Sequence, residues 1–322
     1  MDASQPKTIL VTGGTGFAGR HLIELLDKTF DCQIVATGFS HTAPKNISFS
    51  EKVRYMSLDL TNHSAVFELI KAIQPNWIFH LAAISIVGAS FERAAEVFHN
   101  NLTLQLNVLE AVREHSPQAR VLVIGSGTEY GIKTASQSEG IAFSEEDPLQ
   151  PLSPYAVSKV TQDLLGLAYA NSYGLDIVRV RPFNHIGLGQ TADFAIPAFA
   201  SQIVAVERGE QKEVKVGNLE PIRDLSDVRD VVKAYVLLME KGVRGEVYNV
   251  GSGQGYTMRS LLDKMIAHAK VSIDVKTDES RLRPDTSPLV SNSDKIKKLG
   301  WKPEIPLEES LKLVLEEWRG KA

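Results

Sequence analysis

The chain has 322 residues, of which 43% are hydrophobic and 23% charged, with a formal net charge of -4. Such a length holds two lobes, or one large α/β domain with an appended cap, and the balance is that of a soluble folded protein. An acidic balance with no broad basic surface excludes nucleic acid as an expected partner, although a few local arginines suffice for a small anion. Cys32 is the single cysteine, which rules out an intrachain disulfide and a zinc site built from cysteines, and no metal is expected. The opening run Met-Asp-Ala-Ser-Gln-Pro-Lys lacks the charged-then-apolar order of a secretory signal, and His80 interrupts the best apolar run. No membrane segment and a cytoplasmic location are the expectation.

In chain order, residues 8–12 are a short β-branched run that predicts a buried parallel strand. Residues 16–28 follow with Phe17, Leu22, Leu25 and Leu26 at helical spacing. Strands are expected at 32–37 and 53–57, and a helix at 62–73 with Val66, Leu69, Ile70 and Ile73 on its inward stripe. A fourth strand at 76–81, a long helix at 91–114 and a fifth strand at 120–126 come next. A Gly-, Ser- and Glu-rich loop leads to a helix at 153–173 and a strand at 176–181. This alternation predicts a Rossmann-type α/β fold, a doubly wound parallel sheet with helices on both faces. Beyond residue 184 the rhythm breaks, yet Val247–Val250 still reads as a buried strand returning to the main sheet. The expected division is therefore 1–184 with parts of 225–255 as the dinucleotide-binding domain, and a discontinuous 185–322 as a smaller substrate-binding lobe.

Gly14-x-Gly16-x-x-Gly19 lies between a predicted strand and a predicted helix, the context a pyrophosphate-binding turn requires; a tight structural turn is the alternative. The second strand ends in Thr37-Gly38-Phe39-Ser40-His41, without the acid that holds the ribose 2′-hydroxyl of NAD and without an arginine for a 2′-phosphate. NADPH is the preferred cofactor, with NADH as a second. Asp59-Leu60, after the third strand, are placed to meet the adenine; helix N-capping by Asp59 or Thr61 is the other reading.

Tyr155 and Lys159 stand one helical turn apart, a spacing at which the lysine cation stabilises a phenolate whose free pKa of about 10 is too high for work at neutral pH. Ser126 ends the fifth strand, at the edge where open α/β sheets bind ligands, and its hydroxyl suits a reacting oxygen. The alternatives are a capping tyrosine, a solvated lysine and a serine that merely ends a strand. With the glycine turn upstream, the three residues point to hydride transfer at a carbonyl or alcohol.

Together these residues resemble the extended short-chain dehydrogenase/reductase family, in its nucleotide-sugar branch, over nearly the whole chain. The marks are Thr12-Gly13-Gly14-Thr15-Gly16-Phe17-Ala18-Gly19, His80-Leu81-Ala82-Ala83, Ser126, Tyr155, Lys159, Arg181-Pro182-Phe183-Asn184 and Arg223-Asp224. The second half is most similar to GDP-4-keto-6-deoxy-mannose reductases, through the stretches 181–187, 216–224, 227–235, 245–253 and 281–284. The resemblance implies a GDP-linked 4-keto-6-deoxyhexose as substrate, bound between the lobes. By position, Gly13 to Gly19, Asp59, Leu60, Leu81, Ala82, Ala83, Tyr155, Lys159 and Pro182 would hold the cofactor. Asn184 would contact the diphosphate, Arg223 and Arg283 would supply its counter-charge, and Ser85 would face the sugar. Surface ion pairs are the alternative for the arginines. The family's Arg-Pro-Ser-Asp-Val-Pro reads Arg-Pro-Asp-Thr-Ser-Pro at 283–288, and Gly-Leu-Gly at 187–189 replaces Gly-Pro-Gly.

Related 4,6-dehydratases carry elimination carboxylates just after the Ser/Thr. Counting back from Tyr130-Gly131, Thr128 occupies the dehydratase glutamate's place and Glu129 falls one residue late, where an extended segment turns its side chain away. A 4,6-dehydratase with Glu129 re-aimed by its loop, a 4-epimerase, which needs only the tyrosine set and tightly held NAD, and a non-catalytic nucleotide-binding protein are the other readings. The two long helices either pair between subunits as a homodimer, as the family does, or are covered within one chain.

Overall fold

The computed structural model describes residues 6–40, 50–133, 142–282 and 287–321. Strand and helix alternate through β1 (Thr8–Thr12), α1 (Phe17–Thr29), β2 (Gln33–Gly38), β3 (Val53–Ser57), α2 (His63–Ile73) and β4 (Trp77–His80). Then come α3 (Val87–Glu92), α4 (Ala94–His115), β5 (Arg120–Ile124), the short β6 (Ala142–Phe143), α5 (Pro154–Ser172) and β7 (Asp176–Pro182). These are followed by β8 (Asn184–Ile186), α6 (Ala195–Glu207), β9 (Glu213–Val216), β10 (Ile222–Asp227), α7 (Val228–Lys241) and β11 (Val247–Val250). The chain ends with β12 (Gly255–Thr257), α8 (Met258–Ile266), β13 (Asp274–Thr277), β14 (Val290–Ser291), α9 (Asp294–Lys297) and α10 (Leu307–Gly320).

Seven parallel strands form the central sheet in the order β11-β7-β5-β4-β1-β2-β3. Side chains alternate across it, as the period of two requires. Ile9 and Val11 of β1 pack with Leu22 and Leu26 of α1 and with Val231 and Tyr235 of α7. Leu10 faces the other way, into a core with Ile70 of α2 and Val108 and Val112 of α4. Because both faces are covered, β1 is apolar at successive positions instead of alternating with polar residues. The chain reverses direction of winding between β1 and β4, and this opens a crevice at their carboxyl ends.

β11 occupies the span read from the sequence and pairs with β7, from Val247 opposite Arg179 to Val250 opposite Pro182. A third core, including Ile203, Val214, Leu225, Leu261 and Val314, is built by α6, β9, β10, α8 and α10. The fold is thus the expected Rossmann-type sheet with a smaller lobe. Two local expectations are corrected. The helix expected at 91–114 is two helices, broken at Arg93, whose φ of -121° and ψ of 40° leave the helical region. Neither Asp59 nor Thr61 caps α2: Asn62 does, accepting the Ala65 N–H at 3.1 Å, because the helix starts one residue later. Among the described residues no helix is long and apolar enough to cross a membrane.

Thr12 and His80 stand opposite each other where β1 and β4 end, Thr12 Oγ1 lying 2.9 Å from His80 Nδ1 and also accepting the Ala82 N–H at 3.3 Å. Burial, and secondarily the Lys159 cation, push the His80 pKa from 6.5 down to about 3. The unfolded imidazole takes a proton at a higher pH than the folded one. The stability that His80 supplies is therefore full above pH 6.5 and is lost as pH falls toward 3. The loss is about 1.4 kcal/mol per pH unit inside that window. Denaturation midpoints should fall between about pH 6.5 and about pH 5, and His80→Asn, which cannot ionise, should fall less steeply. Equal slopes would place the acid sensitivity in another group.

Candidate active site

The turn after β1 needs glycine for identifiable reasons. Gly13 has φ +67°, and a Cβ on it would meet the Ala82 nitrogen at 2.8 Å. A Cβ on Gly19 would stand 2.2 Å from the Gly13 oxygen, so the first turn of α1 can only close over the loop with glycine there. Gly16 is the N-cap of α1, with no side-chain cap and no acid in the first turn. The helix N-terminus thus presents its own N–H groups to the crevice, beside half-buried Thr15, Phe17 and Ala18. This donor set suits the pyrophosphate of a dinucleotide. Leu81, Ala82 and Ala83 border the turn from β4, and buried Pro182 ends β7.

At the end of β2, a side chain on Gly38 would collide with Thr15 Oγ1 at 2.6 Å and Tyr55 Oη at 2.9 Å. The Tyr55 hydroxyl donates to the Ser40 carbonyl at 2.5 Å, and Phe39 is 81% exposed. Asp59 is exposed, and its Oδ1 accepts both the Thr61 N–H, at 2.9 Å, and the Thr61 hydroxyl, at 2.7 Å. Leu60 is in the core.

Ser126 follows β5 and caps a one-turn 3₁₀ segment, Gly127–Glu129. Its Oγ accepts the Thr128 N–H at 3.2 Å and lies 2.8 Å from Thr128 Oγ1. Tyr155 sits in the first turn of α5, behind Pro154 and the cap Ser153, which accepts the Ala156 N–H at 3.1 Å. Burial pushes the Tyr155 phenol up to about 12, with the Ser126 hydroxyl opposing through a hydrogen bond and the Glu129 charge adding to the rise. The lysine therefore does not lower this tyrosine as expected from its spacing. The Lys159 ammonium, 4% exposed, points along α5 to Gln162 Oε1 at 2.7 Å. Burial brings Lys159 down to about 8, against the opposing pull of Glu129 and Asp163.

Gln162, Asn101 and Asp163 of this centre were not singled out from the sequence. Gln162 is held for Lys159 by donating to the Asn101 carbonyl at 2.9 Å. The Asn101 side chain in turn accepts the Ile84 N–H at 2.8 Å and so anchors the loop that carries exposed Ser85. Asp163, one turn past Lys159, binds Arg179 at 3.1 Å and Arg181 at 2.5 Å. Only the helical spacing of Gln162 and Asp163 from Lys159 hinted at them. Glu129 is fully buried and turned inward, its Oε1 accepting the Ser126 N–H at 2.6 Å.

The substrate-side residues are less gathered. Asn184 is exposed on β8, and Arg223 on β10 donates to the Ile222 and Ser287 carbonyls at 2.9 and 2.8 Å. Buried Asp224 fastens this region by accepting the N–H groups of Ser252, Gly253 and Ser291 at 2.9 to 3.1 Å. Arg283 lies outside the described residues. Among the described residues no group of three or more His, Cys, Asp or Glu is placed to hold a metal ion.

A family model described as GDP-mannose 4,6 dehydratase matches residues 10–314. The chain is 32% identical over 316 residues to a GDP-6-deoxy-D-mannose reductase of Pseudomonas aeruginosa, covering 97% of each chain. It is 29% identical to GDP-mannose 4,6 dehydratase 2 of Arabidopsis thaliana, covering 97% of this chain and 86% of that one. Its structure is similar to RMD from Pseudomonas aeruginosa complexed with NADPH, with a TM-score of 0.84, 30% identity and coverage of 98% and 100%. It is also similar to UDP-glucose 4-epimerase of Thermus thermophilus complexed with NAD, with a TM-score of 0.86, 27% identity and the same coverage. With the glycine turn, the Ser126–Tyr155–Lys159 set and the wound sheet all in place, the chain belongs to the GDP-mannose 4,6 dehydratase family, within the nucleotide-sugar branch of the short-chain dehydrogenases/reductases.

Proposed function

We propose that this protein is an NADPH-dependent reductase, with NADH as second cofactor, that converts the C4 ketone of GDP-4-keto-6-deoxy-D-mannose to the alcohol of GDP-6-deoxy-D-mannose. The observation that carries the reading is the inward turn of Glu129. Elimination needs an acid and a base facing the sugar, and here Thr128 stands where a dehydratase has its glutamate while Glu129 is committed to the Ser126 backbone. Burial pushes the Tyr155 phenol up, the direction that suits a proton donor.

A bound nicotinamide dinucleotide supplies the hydride for C4. The α1 N-terminus and the glycine turn hold its pyrophosphate, with Leu81, Ala82, Ala83 and Pro182 along the crevice and Asp59 and Leu60 toward the adenine. Tyr155 gives its proton to the carbonyl oxygen as negative charge develops there, and the Ser126 hydroxyl stabilises that charge. Lys159 raises the local positive potential and holds the ribose. Asn184, Arg223 and Arg283 hold the diphosphate, and Ser85 faces the sugar.

The reading includes a cytoplasmic homodimer. α4 and α5 carry Leu106, Val157 and Leu164 on an outer face, and these side chains are 39%, 41% and 49% exposed. Val157 also shares a shallow, mostly apolar depression with Leu152, Ala94, Ala95 and Phe98, a surface of the kind a second copy covers.

Mixing the protein with GDP-4-keto-6-deoxy-mannose and NADPH, then NADH, tests the reading by cofactor absorbance and NMR of the sugar. Oxidation with a 6-deoxyhexose product is expected, and no oxidation from a folded, cofactor-binding protein would remove the reductase. Tyr155→Phe should cut turnover by about a hundredfold or more with cofactor affinity nearly unchanged in a binding titration, and a near-normal rate sinks Tyr155 as the acid. Leu164→Glu should shift the mass measured by light scattering from dimer to monomer; an unchanged dimer places the interface on another face.

A further inference from the structure

Glu129 is an unfavourable residue to place where it stands. Its neighbour Tyr130 stacks on Phe143 with centroids 5.0 Å apart, and Phe183 and Leu289 fill out the same apolar cluster. The Glu129 carboxyl beside that cluster is itself fully buried, and buried ion pairs seldom offset in stability the desolvation such a group suffers. The neighbouring backbone is nevertheless shaped around the carboxylate: a Cβ on Gly125 would stand 2.4 Å from Glu129 Oε1. That same oxygen takes the Ser126 N–H at 2.6 Å. Glu129 Oε2 lies 3.1 Å from Arg181 Nε, off the N–H axis, so this is a charge contact and not an aligned hydrogen bond.

From Arg181 the chain of contacts runs back to the helix that carries the tyrosine. Arg181 donates to Asp163 Oδ2 at 2.5 Å and to the Tyr130 hydroxyl at 2.9 Å, and Asp163 lies one turn beyond Lys159 on α5. We propose that Glu129 is a positioning residue for the reduction, the centre of a buried strut from Ser126 through Glu129 and Arg181 to Asp163, which fixes the Ser126 turn against α5 and sets how readily Tyr155 loses its proton. The proposal rests on the reductase reading of the site.

Among the described residues, the charged and titratable groups that face Glu129 are Arg181 from β7 and Asp163, Lys159 and Tyr155 from α5. Burial, then the Asp163 charge, push Glu129 up to about 8, while Tyr155 stands near 12. The carboxyl therefore ionises before the phenol. Where Tyr155 would give up its proton to solvent, Glu129 is already negative and holds that proton on. It also raises the pKa of Lys159, against burial. Removing its charge lowers both groups, so the rate should begin to fail at a lower pH.

The test uses the full chain and Glu129→Gln, which keeps volume and the acceptor for the Ser126 N–H but loses the charge. For NADPH-dependent reduction followed from about pH 6 to about pH 11, the basic limb of kcat/KM, which the loss of the Lys159 proton near 8 enters first, should move down by about one unit. KM should stay within about twofold while kcat falls by about tenfold. An unshifted limb overturns the proposal whatever happens to kcat, since a purely structural role would not move it. If the unsubstituted protein fails to oxidise NADPH with the sugar, the reductase reading has failed, and the Glu129 proposal is then decided by its carboxyl titration. That titration, by 13C NMR of labelled protein with Glu129 assigned, also replaces the kinetic test if the variant does not fold. A pKa well above the ordinary carboxylate range is expected, and one near 4.5 overturns the strut's electrostatic role.

Discussion

The contact on which the rest depends is the approach of the Gly13 backbone to the Leu81–Ala82 backbone, where β1 and β4 end side by side. A Cβ at Gly13 would lie inside van der Waals distance of Ala82, so the turn can lie flat against the next strand only with glycine there. That approach sets where α1 starts, and the start of α1 points unpaired N–H groups into the crevice. The sheet supplies the crevice itself, because strand order reverses between β1 and β4 and the two crossovers leave in opposite directions. The dinucleotide site follows from backbone sterics and winding, with few side chains needed to define it.

Beside this largely backbone site lies its opposite, a centre made of buried charge. Lys159, Glu129, Asp163, Arg179 and Arg181 are each less than 9% exposed and lie on three elements, α5, β7 and the turn after β5. No one of them could be buried alone without changing its protonation. Together they tie the serine turn to the tyrosine helix, and of the five it is Glu129 that adds to the rise burial gives the Tyr155 phenol.

The regular elements were legible because their signals are local. A β-branched run such as 8–12, or apolar residues three and four apart as in α1 and α2, reports a buried strand or an amphipathic helix without knowledge of its neighbours. The places where the reading failed are also local in extent but not in cause. Arg93 breaks the long helix although no proline or glycine marks the spot. Asn62 caps α2 in place of Asp59 or Thr61 because three cap-forming residues stand close together and only the course of the chain selects among them. Glu129 was legible only in its one-residue offset from the elimination position, because residues 127–129 form a 3₁₀ turn and not the extended segment from which the reversal of its side chain was expected. What it turns toward was not.

The sequence by itself determined the wound parallel sheet, the glycine turn, the absence of an acid at the end of β2, and the serine, tyrosine and lysine proposed for the reacting centre. Each is a matter of residue type at short spacing, where backbone geometry leaves few choices. Only the tertiary structure decided that Lys159 reaches Gln162 and not the tyrosine ring, that Arg181 serves both Glu129 and Asp163, and that burial pushes the phenol up. Those outcomes depend on how much water each group loses and which charge it meets across the sheet. Both are set by residues 18 to 52 positions apart in the chain, as Asp163 and Arg181, or Glu129 and Arg181, are.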